Sequence, residues 1–170
     1  MDGYLLDTNA ASVLWDARHA DHDKIRAFLE SVSPAPVWIS IIALAEVEYG
    51  LKTAPAMNLD THKDVRAEMA KYPEVLEPDK HTIAPYSDLR AELFKSYAPR
   101  DRKGRLTKKW VEDLFERTSA KELHGSQEND IWVASLAIQY NLILVTEDRM
   151  APIVEVSKYL PDPLRIQKWR

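Results

Sequence analysis

Four short runs, apolar or opening on apolar residues, punctuate the chain: Tyr4-Leu5-Leu6, Val37-Trp38-Ile39, Val75-Leu76-Glu77-Pro78 and Leu142-Ile143-Leu144-Val145. Each is too short for a helix, and longer stretches with helical spacing of apolar residues lie between them. His22 to Val32 places Ile25, Phe28, Leu29 and Val32 on one face, and Thr82 to Tyr97 does the same with Leu89, Leu93 and Phe94. Strands that are apolar throughout, separated by helices, call for a mainly parallel sheet covered on both faces. The expected fold is therefore α/β: a three-layer α/β/α sandwich with a central, mainly parallel sheet. Further helices are predicted over Thr8–Trp15, from Ser40 to about Lys52, over Thr61–Tyr72, Thr107–Thr118 and Ser126–Tyr140, with a last edge strand at Leu164-Arg165-Ile166. Ser40 is placed to cap its helix, Asp7 or Thr8 to cap the first, and Asn129 to cap the one that follows it.

In such sheets ligands bind at the carboxyl ends of the strands. Acidic residues stand at those places. Asp7 follows the first run and Asp148 the fourth with its Thr146-Glu147 turn, while Glu46 lies inside the helical stretch Ile41–Glu46 and Asp130 opens the apolar helix Ile131–Ala134. Glu46 and Glu48 lie about 200° apart around a helix, so one alone can face a common crevice. Glu46 shares a stripe with Ile42 and with Gly50, a residue that permits close packing. Two carboxylates within a few ångströms repel by roughly 1 kcal/mol in water and several-fold more when partly buried. A hard divalent cation, Mg²⁺ or Mn²⁺, suits an all-oxygen set. The commonest work for such a set is phosphodiester hydrolysis.

Each position also has a plainer reading. Asp7 is a good helix cap, Glu46 could be solvated, and Asp130 suits the first turn of a helix, as does Glu128. Thr146-Glu147-Asp148-Arg149 makes a good surface turn.

Motif order carries a resemblance. Asp7-Thr8-Asn9 resembles the opening motif of PIN-domain nucleases, and Ser40, Glu46 and Gly50 resemble the second. Asn129-Asp130-Ile131-Trp132-Val133-Ala134 and, eighteen residues after Asp130, Asp148 resemble the third and fourth. The likeness spans nearly the whole chain, and the pattern is most similar to VapC-like ribonuclease toxins. It implies a metal-dependent endoribonuclease in which Asp7, Glu46, Asp130 and Asp148 hold Mg²⁺ or Mn²⁺. Thr8, Asn9 and Thr146 would stand behind them as orienting groups. It further implies an RNA substrate, a cognate protein antitoxin and a homodimer. A non-cleaving RNA- or protein-binding module is the alternative. A HAD-type phosphatase is weaker still, because that motif needs an aspartate where Asn9 stands.

The segment from about residue 97 to 125 exceeds what a minimal PIN domain needs. It is basic: Arg100, Arg102, Lys103, Arg105, Lys108 and Lys109 face Asp101 alone. These are candidate phosphate contacts in a chain whose net charge is −4. Trp110 could stack a base beside them, whereas Trp15, Trp38 and Trp132 read as core. At 170 residues, with 45% hydrophobic and 29% charged, the chain is expected to be a single globular domain. No apolar run reaches the ~20 residues of a membrane span. The absence of cysteine excludes disulfides and thiolate ligands. The acidic start Met1-Asp2-Gly3 enters a strand directly, unlike a signal peptide, and a cytoplasmic setting is expected.

Overall fold

The computed structural model describes residues 2–55, 59–72, 75–107 and 127–170. The expected α/β class is present. Five strands, β1 (Tyr4–Leu6), β2 (Val37–Ser40), β3 (Val75–Leu76), β4 (Ile143–Val145) and β5 (Arg165–Gln167), form one sheet in the order β3-β2-β1-β4-β5. Pairing is parallel from β3 through β4. In register, Leu6 lies between Ile39 of β2 and Val145 of β4. The residues one position further on are Asp7, Ser40 (the last of β2) and Thr146, all at the carboxyl end of the sheet.

The chain divides into two compact units. The first is Met1–Glu77 with Asn141–Glu147 and Ile166–Arg170, and it holds the sheet. Its helices are α1 (Thr8–Trp15), α2 (His22–Val32), α3 (Ile41–Thr53) and α4 (Leu59–Met69). Spacing fixes α1 and α2 at the residues expected of them. α4 instead starts two residues before Thr61, and after Met69 a turn carries the chain to Tyr72. The core of this unit is Leu6, Val13, Trp15, Ile25, Phe28, Ile39, Val47, Val65 and Val145 with Trp169. Trp15 meets Tyr72 edge-on, ring centres 6.1 Å apart, and burial pushes the Tyr72 hydroxyl pKa up, with Glu68 adding to the rise.

The second unit is Pro78–Tyr140 with Asp148–Arg165. It contains α5 (Ile83–Tyr97), α6 (Glu128–Gln139) and α7 (Ala151–Ser157). Leu89 and Leu93 of α5, Ile131 of α6 and Ile153 and Val156 of α7 are buried. α7 was not expected. Its signature is Pro152 in the first turn, where a missing N–H costs nothing, followed by apolar Ile153, Val154 and Val156. Asn141, just beyond α6, has φ +52°, the left-handed residue that commonly ends a helix and that Asn tolerates. Trp38 and Trp132 are half-buried rather than core. The ring of Trp132 stacks on Tyr86 at 3.8 Å. The helix expected over Thr107–Thr118 lies outside the described residues from Lys108 onward, as do Lys108, Lys109 and Trp110. No helix among the described residues is long and apolar enough to cross a membrane.

Candidate functional site

Asp7 ends the central strand. Its backbone N–H donates to Val145 O (3.1 Å), which ties it to β4. Its side chain caps α1, Oδ1 accepting the Ala10 N–H at 2.6 Å, and only 6% of the residue is exposed. The cap and the ligand reading are therefore compatible: one carboxylate oxygen is oriented by the helix start. Thr8, the next residue, donates its hydroxyl to Glu46 of α3. Ser40 caps α3 as expected, its Oγ accepting the Ala43 N–H at 3.0 Å. The start of α3 is fixed by that cap, and the Thr8 hydrogen bond then aims Glu46 toward the Asp7 strand end. Glu48 faces elsewhere and pairs with Arg66 at 2.9 Å, which holds its carboxyl below the usual range. Thr146 is wholly buried, and Asn9 is exposed. Gly50 does not serve close packing within the described residues: a Cβ there would meet nothing within 4 Å.

In the second unit Asp130 occupies the third position of α6, and its Oδ2 accepts the Gln127 N–H at 2.7 Å. Gln127, not Asn129, is thus the residue flanking the helix start, because the side chain three residues on reaches back to its N–H. Asp148 is exposed in the bend that leaves β4. Glu128 is more engaged than a first-turn charge. Its Oε1 accepts from the Tyr86 hydroxyl and from Arg90 Nη1 (3.1 Å), while its buried Oε2 has no partner among the described residues. Burial, then the Glu128 hydrogen bond, pushes the Tyr86 hydroxyl pKa up. Spacing gave no sign of this cluster, because its members sit on different helices, α5 and α6.

The basic turn is built on Asp101. That carboxylate accepts the backbone N–H of Lys103 (2.8 Å) and of Arg105 (2.9 Å) and the Arg105 Nε (2.9 Å). These bonds hold its pKa low, the Arg105 N–H foremost. Arg100 donates to Gly104 O at 3.1 Å, and Gly104 has φ +76°, which suits glycine. Arg100 and Arg105 thus brace the turn, and Arg102 and Lys103 are exposed on it.

Whether these residues fit a metal depends on donor type and on number. Asp7 and Glu46 offer hard oxygen donors at one strand end, which fits Mg²⁺ or Mn²⁺. Among the described residues no three His, Asp or Glu side chains are gathered closely enough to hold a metal. Asp7, Glu46 and Asp130 each take a protein donor instead.

Structures of known proteins share this fold. The VapBC2 structure from Rickettsia felis, bound to a promoter DNA fragment, aligns at TM-score 0.63 and 21% identity over 98% of each chain. DNA-bound VapBC from Salmonella typhimurium aligns at 0.63 and 20% over 100% of each. VapBC-5 from Mycobacterium tuberculosis aligns at 0.53 and 18%, over 99% of this chain and 98% of that one. No curated protein matches the sequence significantly. The PIN domain profile matches residues 4–157, from the first residue of β1 to the last of α7, and by that match this chain belongs to the PIN domain family.

Proposed function

We propose that this protein is a divalent-metal-dependent endoribonuclease and the toxin of a toxin–antitoxin pair. The observation that carries the reading is the buried Asp7 just beyond the central strand, with Glu46 hydrogen-bonded to the next residue, Thr8. Capping α1 uses one oxygen of this carboxylate, Oδ1, and a buried charge at a strand end suits a hard cation. Asp7, Glu46, Asp130 and Asp148 are the proposed ligands of Mg²⁺ or Mn²⁺. When bound, the cation supplies Lewis acidity and neutralises charge on a phosphodiester. The chain's own part is orientation. The Ala10 N–H fixes Asp7, the Thr8 hydroxyl fixes Glu46, and the Gln127 N–H fixes Asp130. Held rotamers of this kind keep the donor oxygens in place without reorganisation during the reaction.

The three VapBC structures named above share this fold, and one of them, VapBC-5, is a member of a family of toxin-antitoxin systems, which supports a protein antitoxin as partner. α3 adds support, since Ile41 and Tyr49 on its outer face are 38% and 70% exposed. A homodimer is proposed from the family resemblance alone.

The test is cleavage of a single-stranded RNA oligomer, run beside a small phosphomonoester. RNA is expected to be cut with Mg²⁺ or Mn²⁺ and left intact in excess EDTA, and the phosphomonoester left untouched. Full cleavage in EDTA overturns the metal role, and turnover of the phosphomonoester alone points to a phosphatase.

Arg102 and Lys103 are the proposed phosphate-binding side chains of the basic turn. Removing one cation that neutralises a phosphate should flatten the log–log salt dependence of RNA binding by roughly 0.7. The Arg102→Ala/Lys103→Ala variant is therefore expected to lower that slope by about 1.4, read by fluorescence anisotropy over a salt series. Arg105 is left in place because its loss would also unbrace Asp101. An unchanged slope returns the turn to a solvated surface.

A further inference from the structure

Glu147 has no place in the four-carboxylate reading, yet it is among the most engaged carboxylates of the first unit. Its Oε1 accepts two consecutive main-chain N–H groups, Trp169 at 3.0 Å and Arg170 at 2.9 Å. Lys168 Nζ lies 3.3 Å from its carbonyl oxygen and 3.8 Å from Oε2. The neighbouring Thr146 donates its N–H to Gln167 O at 3.1 Å. The gripping segment is itself anchored. Trp169 is buried, and the Arg170 guanidinium lies 4.7 Å from its ring centre and 3.3 Å from Asp21. On the opposite side, Val145 O accepts the Asp7 N–H. Residues 145–147 are thus held between residues 167–170 and Asp7: Thr146 and Glu147 on one side, Val145 O on the other.

An ordinary surface turn does not need this. Its acidic residue caps its own turn or meets a solvated lysine. Here one oxygen takes two main-chain donors from a segment some twenty residues away, with the side chain only 21% exposed. Bonds from N–H groups to a carboxylate are shorter and stronger than neutral ones. They fix the backbone from which Asp148 departs and the Thr146 that follows Val145, the register partner of Leu6.

We propose that Glu147 is a positioning residue for the metal site: through its grip on Trp169 and Arg170 it sets the Thr146-Glu147 backbone beside Asp7. This rests on the metal-site reading above. Residues that orient metal ligands typically change affinity 10- to 100-fold when lost.

Mn²⁺ affinity, read by electron paramagnetic resonance on the intact chain, tests it, with a thermal melt without metal and amide exchange at Thr146 and Glu147 alongside. Glu147→Ala is expected to weaken Mn²⁺ about 10-fold or more and to speed exchange at both amides. Glu147→Gln keeps an Oε1 acceptor and should restore affinity to near that of the natural chain. Arg170→Ala loosens the anchor to Asp21 without touching the two N–H bonds, and should bind Mn²⁺ normally. If Glu147→Ala does not fold, Glu147→Asp, shorter by one methylene, is expected to show the same weakening. Natural affinity in Glu147→Ala, or in Glu147→Asp where that stands in, overturns the proposal. So do equal losses in the Glu147 and Arg170 variants that track their melting temperatures, which would make Glu147 an anchor for residues 167–170 alone. Absence of Mn²⁺ binding by the natural chain overturns the metal reading first and this one with it.

Discussion

Asp7→Asn should reduce RNA cleavage about 100-fold or more while leaving the fold intact. A ligand carboxylate supports several kcal/mol of charge stabilisation, and each 1.4 kcal/mol is tenfold in rate. The fold should not suffer, because Asn caps helices about as well as Asp and can accept the same Ala10 N–H. It also removes one negative charge from the strand end that Glu46 approaches. Asp7→Ala separates the two roles. It loses the cap as well, and should cost about 1 kcal/mol of stability beyond the same loss of cleavage. Single-turnover cleavage with saturating Mn²⁺, beside a melt of the metal-free protein, reads both. Near-natural cleavage by Asp7→Asn would remove Asp7 from the site and reduce it to a helix cap.

The largest effect on stability is expected at Trp15, the last residue of α1 and 1% exposed. Truncating a buried Trp to Ala costs about 3–5 kcal/mol, a large share of the 5–15 kcal/mol that domains possess. In a chain of this size each kcal/mol moves the melting temperature by about 2–4 °C, so a fall of roughly 6–20 °C follows. Trp15→Phe should cost much less. The indole Nε1 is buried with no partner among the described residues, and an unmade bond of that kind costs about 1–3 kcal/mol, which Phe recovers while leaving a smaller void. Melting of Trp15→Ala within about 2 °C of the natural protein would show that the wall around α1 is not closed as described.

Local signals were legible in the sequence where one interaction decides the outcome. Asp7 and Ser40 are capping side chains at the mouths of α1 and α3, and each is read from its own neighbourhood. The strands are legible because a run apolar on both faces has few places to go. What escaped reading depends on partners far apart in the chain. The Tyr86–Arg90–Glu128 cluster joins α5 to α6, and the Glu147 clamp joins β4 to residues beyond β5. α7 is hard to read from sequence because Pro152 suggests a stop, although proline is well tolerated in a first turn. Sequence points to Asn129 as the cap of α6, and the difference from Gln127 has a subtler cause. The residue that satisfies the helix start is Asp130 reaching backward, so its flank lies three residues upstream.

The order β3-β2-β1-β4-β5 sets a schedule for the nascent chain. β1 is made first and can pair with β2 early, but its other neighbour consists of residues 143–145. At 5–20 residues per second, the ribosome needs on the order of ten seconds to reach them. Until then one edge of β1 stays open, and closing it requires a long-range parallel pairing, the slow kind. Thr146 and Glu147 arrive with β4, and the residues that grip Glu147 are later still. The strand end bearing Asp7 is therefore furnished long after Asp7 itself is made. Synthesis itself acts as a delay line between the appearance of this carboxylate and the completion of its surroundings.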